Sequence, residues 1–128
     1  MSALASAQTR ISAPDIEFVD IPATPLKVSR IALGTWAMGG WMWGGTDQRE
    51  SIATIHAALH QGINLIDTAP AYGFGVSEEI VGAALAGIRT EALIATKVGL
   101  EWRDDVAYRN ATRTRIMTEI NEIGRAHV

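Results

Sequence analysis

The feature that most constrains the fold is an alternation that begins at Ile31 and recurs three times. Each unit is a short apolar run, a glycine-bearing or polar loop, and a stretch with helical periodicity. The runs are IALGTW, INLIDTA and ALIATKVG. Apolar runs interleaved with helices predict parallel strands buried on both faces. The first helix is expected over residues 47–61, with Asp47 and Glu50 as a capping-box-like start and Ile52, Ile55 and Leu59 as its apolar stripe. Gly62 suits the left-handed residue that ends it. The second is expected to start at a Ser77 cap, bury Ile80, Val81, Ala84 and Leu85, and close at Gly87. The third is expected near Asn110, with Ile116 and Ile120 facing inward, after a loop LEWRDDVAYR whose Arg103, Asp104 and Asp105 are solvated. Ahead of these units, IEFVDI and LKVSR around the turn PATP predict a hairpin. Residues 1–14, small and polar without periodicity, are expected to form a disordered arm.

Composition narrows the class. A 48% hydrophobic content over 128 residues is enough for one packed domain. Net charge −3, with no basic run, speaks against a nucleic-acid partner. The absence of cysteine removes disulfides and thiolate metal sites, as suits a reducing compartment. No apolar stretch nears the ~20 residues of a spanning helix, and the opening residues lack a signal-peptide pattern. A cytoplasmic protein without membrane attachment is expected. His56 and His60 stand at i, i+4 in HAALH, but with no third ligand they read as a solvated or boundary face, and no metal is expected.

Each apolar run ends on polar chemistry: Thr35 after the first, Asp67 and Thr68 after the second, Thr96 and Lys97 after the third. In parallel α/β folds, ligands and catalytic groups gather at the carboxyl ends of the strands. Asp67 and Lys97 close consecutive strands, and by parity both can face one interior, so an ion pair is expected. Two readings stand: a salt bridge tying neighbouring strands, or a charged pair serving a reaction. Tyr72 lies five residues past Asp67 on a loop flanked by Pro70, Gly73 and Gly75, so it can fold back over the strand ends. Beside Lys97 a phenol becomes a tunable acid for a carbonyl oxygen; the plainer alternative is a tyrosine packed on its own glycines. The loop GTWAMGGWMWGG carries three of the four tryptophans, Trp36, Trp41 and Trp43. It is expected to wall a pocket or to cover the end of the sheet.

These residues together resemble the aldo-keto reductases. The matching pieces are LGTW at 33–36, INLIDTAPAYGFGVSEE at 63–79 and IATKVG at 94–99, within a resemblance covering about residues 16–121. The most specific element is the DTAxxYG with SEE, and the tryptophan-rich loop looks most like the bacterial branch of general-stress and glyceraldehyde-phosphate-type reductases. The resemblance implies an α/β fold: the N-terminal part of a (β/α)8 TIM barrel, a hairpin across the bottom followed by about three βα units. It implies NADPH-dependent reduction of aldehydes or ketones, with NADH as the alternative cofactor. The catalytic residues carried over are Asp67, Tyr72 as proton donor and Lys97. The nicotinamide is placed near Gly34, Thr35, Trp36 and Asp67, and the substrate pocket at Trp36, Trp41 and Trp43, with a small carbonyl compound as the partner. A non-catalytic class of the same fold, nucleotide-binding regulatory subunits, is the alternative. A flavodoxin-like open sheet would also fit three βα units, but the hairpin and the DTAxxYG oppose it.

The sequence also departs from the family. The family's catalytic histidine, at the end of the next strand, and its segments that grip the cofactor phosphates have no counterpart here. A complete barrel takes ~250 residues. Residues 122–128 are expected to be non-native: Gly124 breaks the amphipathic pattern, and IGRAHV is a translation of a common sequencing adapter. The chain alone is therefore expected to lack turnover and, with unpaired strand edges, to aggregate.

Overall fold

The computed structural model describes residues 15–126, with side chains described through Glu122. The expected arm at 1–14 and the last two residues of the expected tail lie outside the described residues. The elements are strands β1 (Phe18–Asp20), β2 (Lys27–Ser29) and β3 (Leu33–Gly34), helix α1 (Gln48–His60), strand β4 (Leu65–Asp67), helix α2 (Val76–Ala84), strands β5 (Leu93–Ala95), β6 (Leu100–Arg103) and β7 (Val106–Arg109), and helix α3 (Arg113–Ala126). The strands β3, β4 and β5 form one parallel sheet in that order, as the alternation predicts. The fold is the N-terminal hairpin and first three βα units of the expected barrel.

Register decides what each face of the sheet carries. Leu33 pairs with Ile66 and Ile66 with Ile94. This row packs with α1 and α2, where Ile55, Ile66, Ile80, Val81, Ala84 and Leu85 make a core at most 2% exposed. Burying each large side chain there stabilises the fold by about 1.5–3 kcal/mol. The alternate row, Gly34, Asp67 and Ala95, faces the opposite side. The stripe read for α2, Ile80, Val81, Ala84 and Leu85, is buried; of that read for α1, Ile55 is buried and Ile52 and Leu59 are partly buried against the core.

The hairpin β1–β2 is tied to the start of β4 by Asn64. Its Oδ1 accepts from Ser29 N at 2.7 Å and its Nδ2 donates to the Lys27 carbonyl at 3.0 Å. The hairpin is thereby fixed at the end of the sheet opposite the polar strand ends. Asp47 caps α1, its Oδ1 accepting from Glu50 N at 2.9 Å.

The structure corrects several local expectations. Ser77 does not cap α2; Gly75, in the left-handed region, holds the N-cap position, and Ser77 is wholly buried inside the first turn. The segment LEWRDDVAYR is a hairpin, β6–β7, with Arg103 paired to Val106 across a two-residue turn. Asp104 and Asp105 both take positive φ there, which short polar side chains tolerate. The helix expected at Asn110 begins at Arg113, because Asn110 Oδ1 instead accepts from the Thr112 amide and hydroxyl just ahead of it. Ile120 is half exposed; the buried position of that turn is Glu119, which accepts from Gly99 N at 2.7 Å and pairs with Arg115 at 3.4 Å. The backbone of α3 also runs through Gly124, a residue that costs a helix only about 1 kcal/mol.

The loop after β3 and the loop carrying Tyr72 touch backbone to backbone at Gly39 and Gly73. A Cβ on Gly39 would stand 2.5 Å from the Tyr72 carbonyl carbon. One on Gly34 would meet nothing. In a complete barrel carrying these residues, Gly39→Ala should therefore lower the soluble fraction several-fold, and Gly34→Ala should leave it unchanged. Equal yields from the two would show that the loops are not held together at this point.

Candidate active site

The carboxylate of Asp67 emerges where β4 ends, between two register neighbours without bulk, Gly34 and Ala95. Lys97, two residues beyond β5, reaches back to it. Its Nζ lies 2.9 Å from Asp67 Oδ1 and 2.9 Å from the Thr68 carbonyl, both acceptors. The same ammonium stands 4.8 Å from the centre of the Tyr72 ring. The strand ends thus bring Asp67, Tyr72 and Lys97 into one cluster on the face away from the core.

Magnitude separates the two readings of the ion pair. The side chains of Lys97 and Asp67 are 45% and 41% exposed. An exposed pair of this kind adds about 0–1 kcal/mol, less than one buried core side chain. It is too weak to be what fastens the strands. Its electrostatic effect falls on the lysine: partial burial pushes the Lys97 ammonium down, but hydrogen bonds with Asp67 and Tyr72 outweigh this and hold its pKa above the usual value. Lys97 stays charged through neutral pH.

The tryptophans divide into two groups. Trp36 stacks on Tyr72, with ring centres 5.9 Å apart and planes 22° apart, and Trp43 meets Trp36 edge-on at 5.8 Å. Trp41 turns away to Phe74 at 5.0 Å, and Phe74 continues to Trp102 at 5.5 Å. Arg115 covers Trp102 from α3. Phe74 and Trp102 are additions to the rings expected from sequence at the strand ends. Phe74 shares the short loop of Tyr72, and that proximity is the signal that points to it.

Thr35 is turned inward. Its hydroxyl donates to the Asp67 carbonyl at 2.9 Å, and the residue is wholly buried. Behind it, Glu78 lies buried on α2 and accepts from the Thr96 hydroxyl at 2.8 Å. Burial pushes the Glu78 carboxyl up; the Thr96 bond opposes this, and the nearby Glu122 and Glu119 add to it. His56 donates from Nε2 to the Ala84 carbonyl at 2.7 Å, closing the end of α2. Among the described residues no three His, Cys, Asp or Glu side chains are grouped to hold a metal.

Residues 30–126 match the model of the Aldo/keto reductase family. The chain belongs to this family. The aldo-keto reductase YhdN of Bacillus subtilis is 56% identical over 107 residues, covering 82% of this chain and 32% of the relative. The NADH-specific methylglyoxal reductase of Escherichia coli is 47% identical over 66% of this chain and 27% of its own length. Among solved structures, the glycerol dehydrogenase AKR11B4 of Gluconobacter oxydans superposes with a TM-score of 0.77 at 50% identity, covering 86% of this chain and 35% of that one. An aldo-keto reductase of Klebsiella pneumoniae in complex with NADPH gives a TM-score of 0.61 at 28% identity, over 79% of this chain and 32% of that one. The chain spans about a third of the length of these aldo-keto reductases.

Tests that need a complete barrel use the chain joined, at Asn121, to the remaining part of the Bacillus relative. A carboxyl whose pKa is raised on folding contributes stability that is full below its unfolded value and is lost as pH rises through the folded one. Glu78→Gln in the completed barrel should thus melt higher than the parent at about pH 7, with the difference vanishing below about pH 4. A lower melting temperature for the variant at neutral pH would show that ionised Glu78 stabilises the fold.

Proposed function

We propose that the chain supplies the first three units of a nicotinamide-dependent reductase that converts aldehydes or ketones to alcohols, with NADPH as its cofactor. The observation that carries this reading is the Lys97 ammonium held between the Asp67 carboxylate and the Tyr72 ring on the open face of the strand ends. The residues present fit the flat nicotinamide end of such a cofactor. Gly34 leaves open space beside Asp67, and Trp36, 45% exposed, offers a ring beside it. Gly34, Trp36 and Asp67 would hold that end, with Thr35 contributing by fixing the strand end. A reduced nicotinamide supplies the hydride that adds to the carbonyl carbon.

The chain's own residues do the rest. Tyr72 donates its phenolic proton to the carbonyl oxygen, giving the alcohol, and recovers a proton from solvent. The Lys97 ammonium stabilises the phenolate that Tyr72 becomes, and Asp67 keeps that ammonium in place. Trp36 and Trp43 wall the reacting carbonyl against water, while Trp41, with Phe74 and Trp102, forms a second wall. The NADH-specific Escherichia coli relative makes NADH the alternative cofactor. We place the enzyme in the cytoplasm; no helix among the described residues is long and apolar enough to cross a membrane. The 128-residue chain alone is expected to show no turnover, because the family's histidine and phosphate-gripping segments have no counterpart in it.

Tyr72→Phe in the completed barrel should lower kcat by roughly 10²–10⁴-fold and leave cofactor affinity nearly intact. A parallel loss of both would mean that Tyr72 is a structural residue.

A further inference from the structure

Three hydroxyls behind the strand ends are wholly buried and hydrogen-bonded to one another. Ser77 Oγ lies 2.7 Å from Thr35 Oγ1, 3.1 Å from the Thr35 carbonyl and 3.0 Å from Thr68 Oγ1. All three residues are 0% exposed. None is one of the three clustered residues Asp67, Tyr72 and Lys97, and a parallel sheet with an apolar core does not require them.

Their proton order is fixed by the far end of the chain of hydroxyls. The Asp67 carbonyl can only accept, so Thr35 Oγ1 donates to it. A hydroxyl has one proton, so Thr35 must accept from Ser77, and Ser77 in turn must accept from Thr68. The hydroxyls therefore run in one direction, from Thr68 through Ser77 and Thr35 to Asp67, each with its single proton used. A buried chain satisfied in this way rigidifies its surroundings, and a break strands a polar group away from water.

Each of the three site residues is attached to these hydroxyl-bearing residues through backbone. The Asp67 carbonyl receives both the Thr35 hydroxyl and the Thr35 amide, the latter at 3.0 Å. The Ser77 amide donates to the Tyr72 carbonyl at 3.1 Å. The Thr68 carbonyl accepts from Lys97 Nζ. We infer that Thr35, Thr68 and Ser77 form a positioning device that sets Asp67, Tyr72 and Lys97 in register, with Ser77 at its centre. This inference rests on the reductase reading for its kinetic consequence. Its geometric consequence stands separately.

Thr68 offers the cleanest test, since Thr35 stands at the strand end assigned to the cofactor. In the completed barrel, Thr68→Val keeps the shape and removes the hydroxyl, and Thr68→Ser keeps the hydroxyl. Misplacement of reacting groups by about 1 Å costs ~10²-fold. The expected result is a fall in kcat of about 10–100-fold for Thr68→Val, with KM for the carbonyl and cofactor affinity unchanged, and a kcat within about twofold of the parent for Thr68→Ser. Ser77→Ala, which breaks the links to both Thr68 and Thr35, should lower kcat at least as far as Thr68→Val, and the double variant should be little worse than Ser77→Ala alone, because the Thr68 hydroxyl acts through Ser77. Equal losses in the Val and Ser variants, or a rise in KM matching the fall in kcat, would overturn the inference. If the parent barrel itself does not turn over, the reductase reading fails, and crystal structures of the parent and Thr68→Val decide the positioning. A Lys97 ammonium that no longer reaches Asp67 in the variant supports the device; a site superposing on the parent overturns it.

Discussion

The structure depends on the register of β4 between its two parallel neighbours. Ile66 pairs with Leu33 and Ile94 on the face that packs against α1 and α2, so its successor Asp67 must stand on the other face beside Gly34 and Ala95. A slip of one residue would drive a carboxylate into the apolar core and expose Ile66. The hydrophobic effect at one position thus aims the charged group at the next. The tie from Asn64 to Ser29 reinforces this from the other end of β4 by fixing where the strand begins.

From that constraint the site is built in layers. The parallel sheet delivers Asp67 and Lys97 to adjacent strand ends, where a half-exposed ion pair of low stability orients an ammonium rather than binding strands together. Close backbone packing at Gly39 and Gly73 brings the tryptophan loop against the Tyr72 loop, and Trp36 then stacks on the phenol ring. The backbone just beyond Lys97 is anchored in turn: Glu119, buried on α3, holds the Gly99 amide, and the Gly99 carbonyl accepts from the Asn110 amide at 3.0 Å. The same acidic side chain occupies the inward position that periodicity assigns to Ile120.

Much of this architecture is legible in the sequence because it rests on period and parity. The alternation yields the βα units, the stripes of α1 and α2 yield the core, and the parity of Asp67 and Lys97 yields their shared face. The loop of Trp36, Trp41 and Trp43 is legible only in part, since a glycine-rich segment does not encode which way each ring turns. The β6–β7 hairpin is hidden because Asp104 and Asp105 read as solvated charges, yet are also residues that tolerate the positive φ a two-residue turn requires. Ser77 reads as a cap because a serine at a helix start satisfies local rules. Its actual partners, Thr35 and Thr68, are distant in sequence and become neighbours only when the sheet forms.

The central claim is that the Asp67, Tyr72 and Lys97 cluster serves the reduction of a carbonyl. The most direct measurement is isotope transfer: the completed barrel is supplied with a small aldehyde and a reduced nicotinamide cofactor deuterated at the transferring position, and the product is examined by mass spectrometry. The account predicts an alcohol carrying one deuterium on the former carbonyl carbon. Cofactor binding without any labelled alcohol, across a panel of aldehydes and ketones, would contradict it and point to the nucleotide-binding regulatory class.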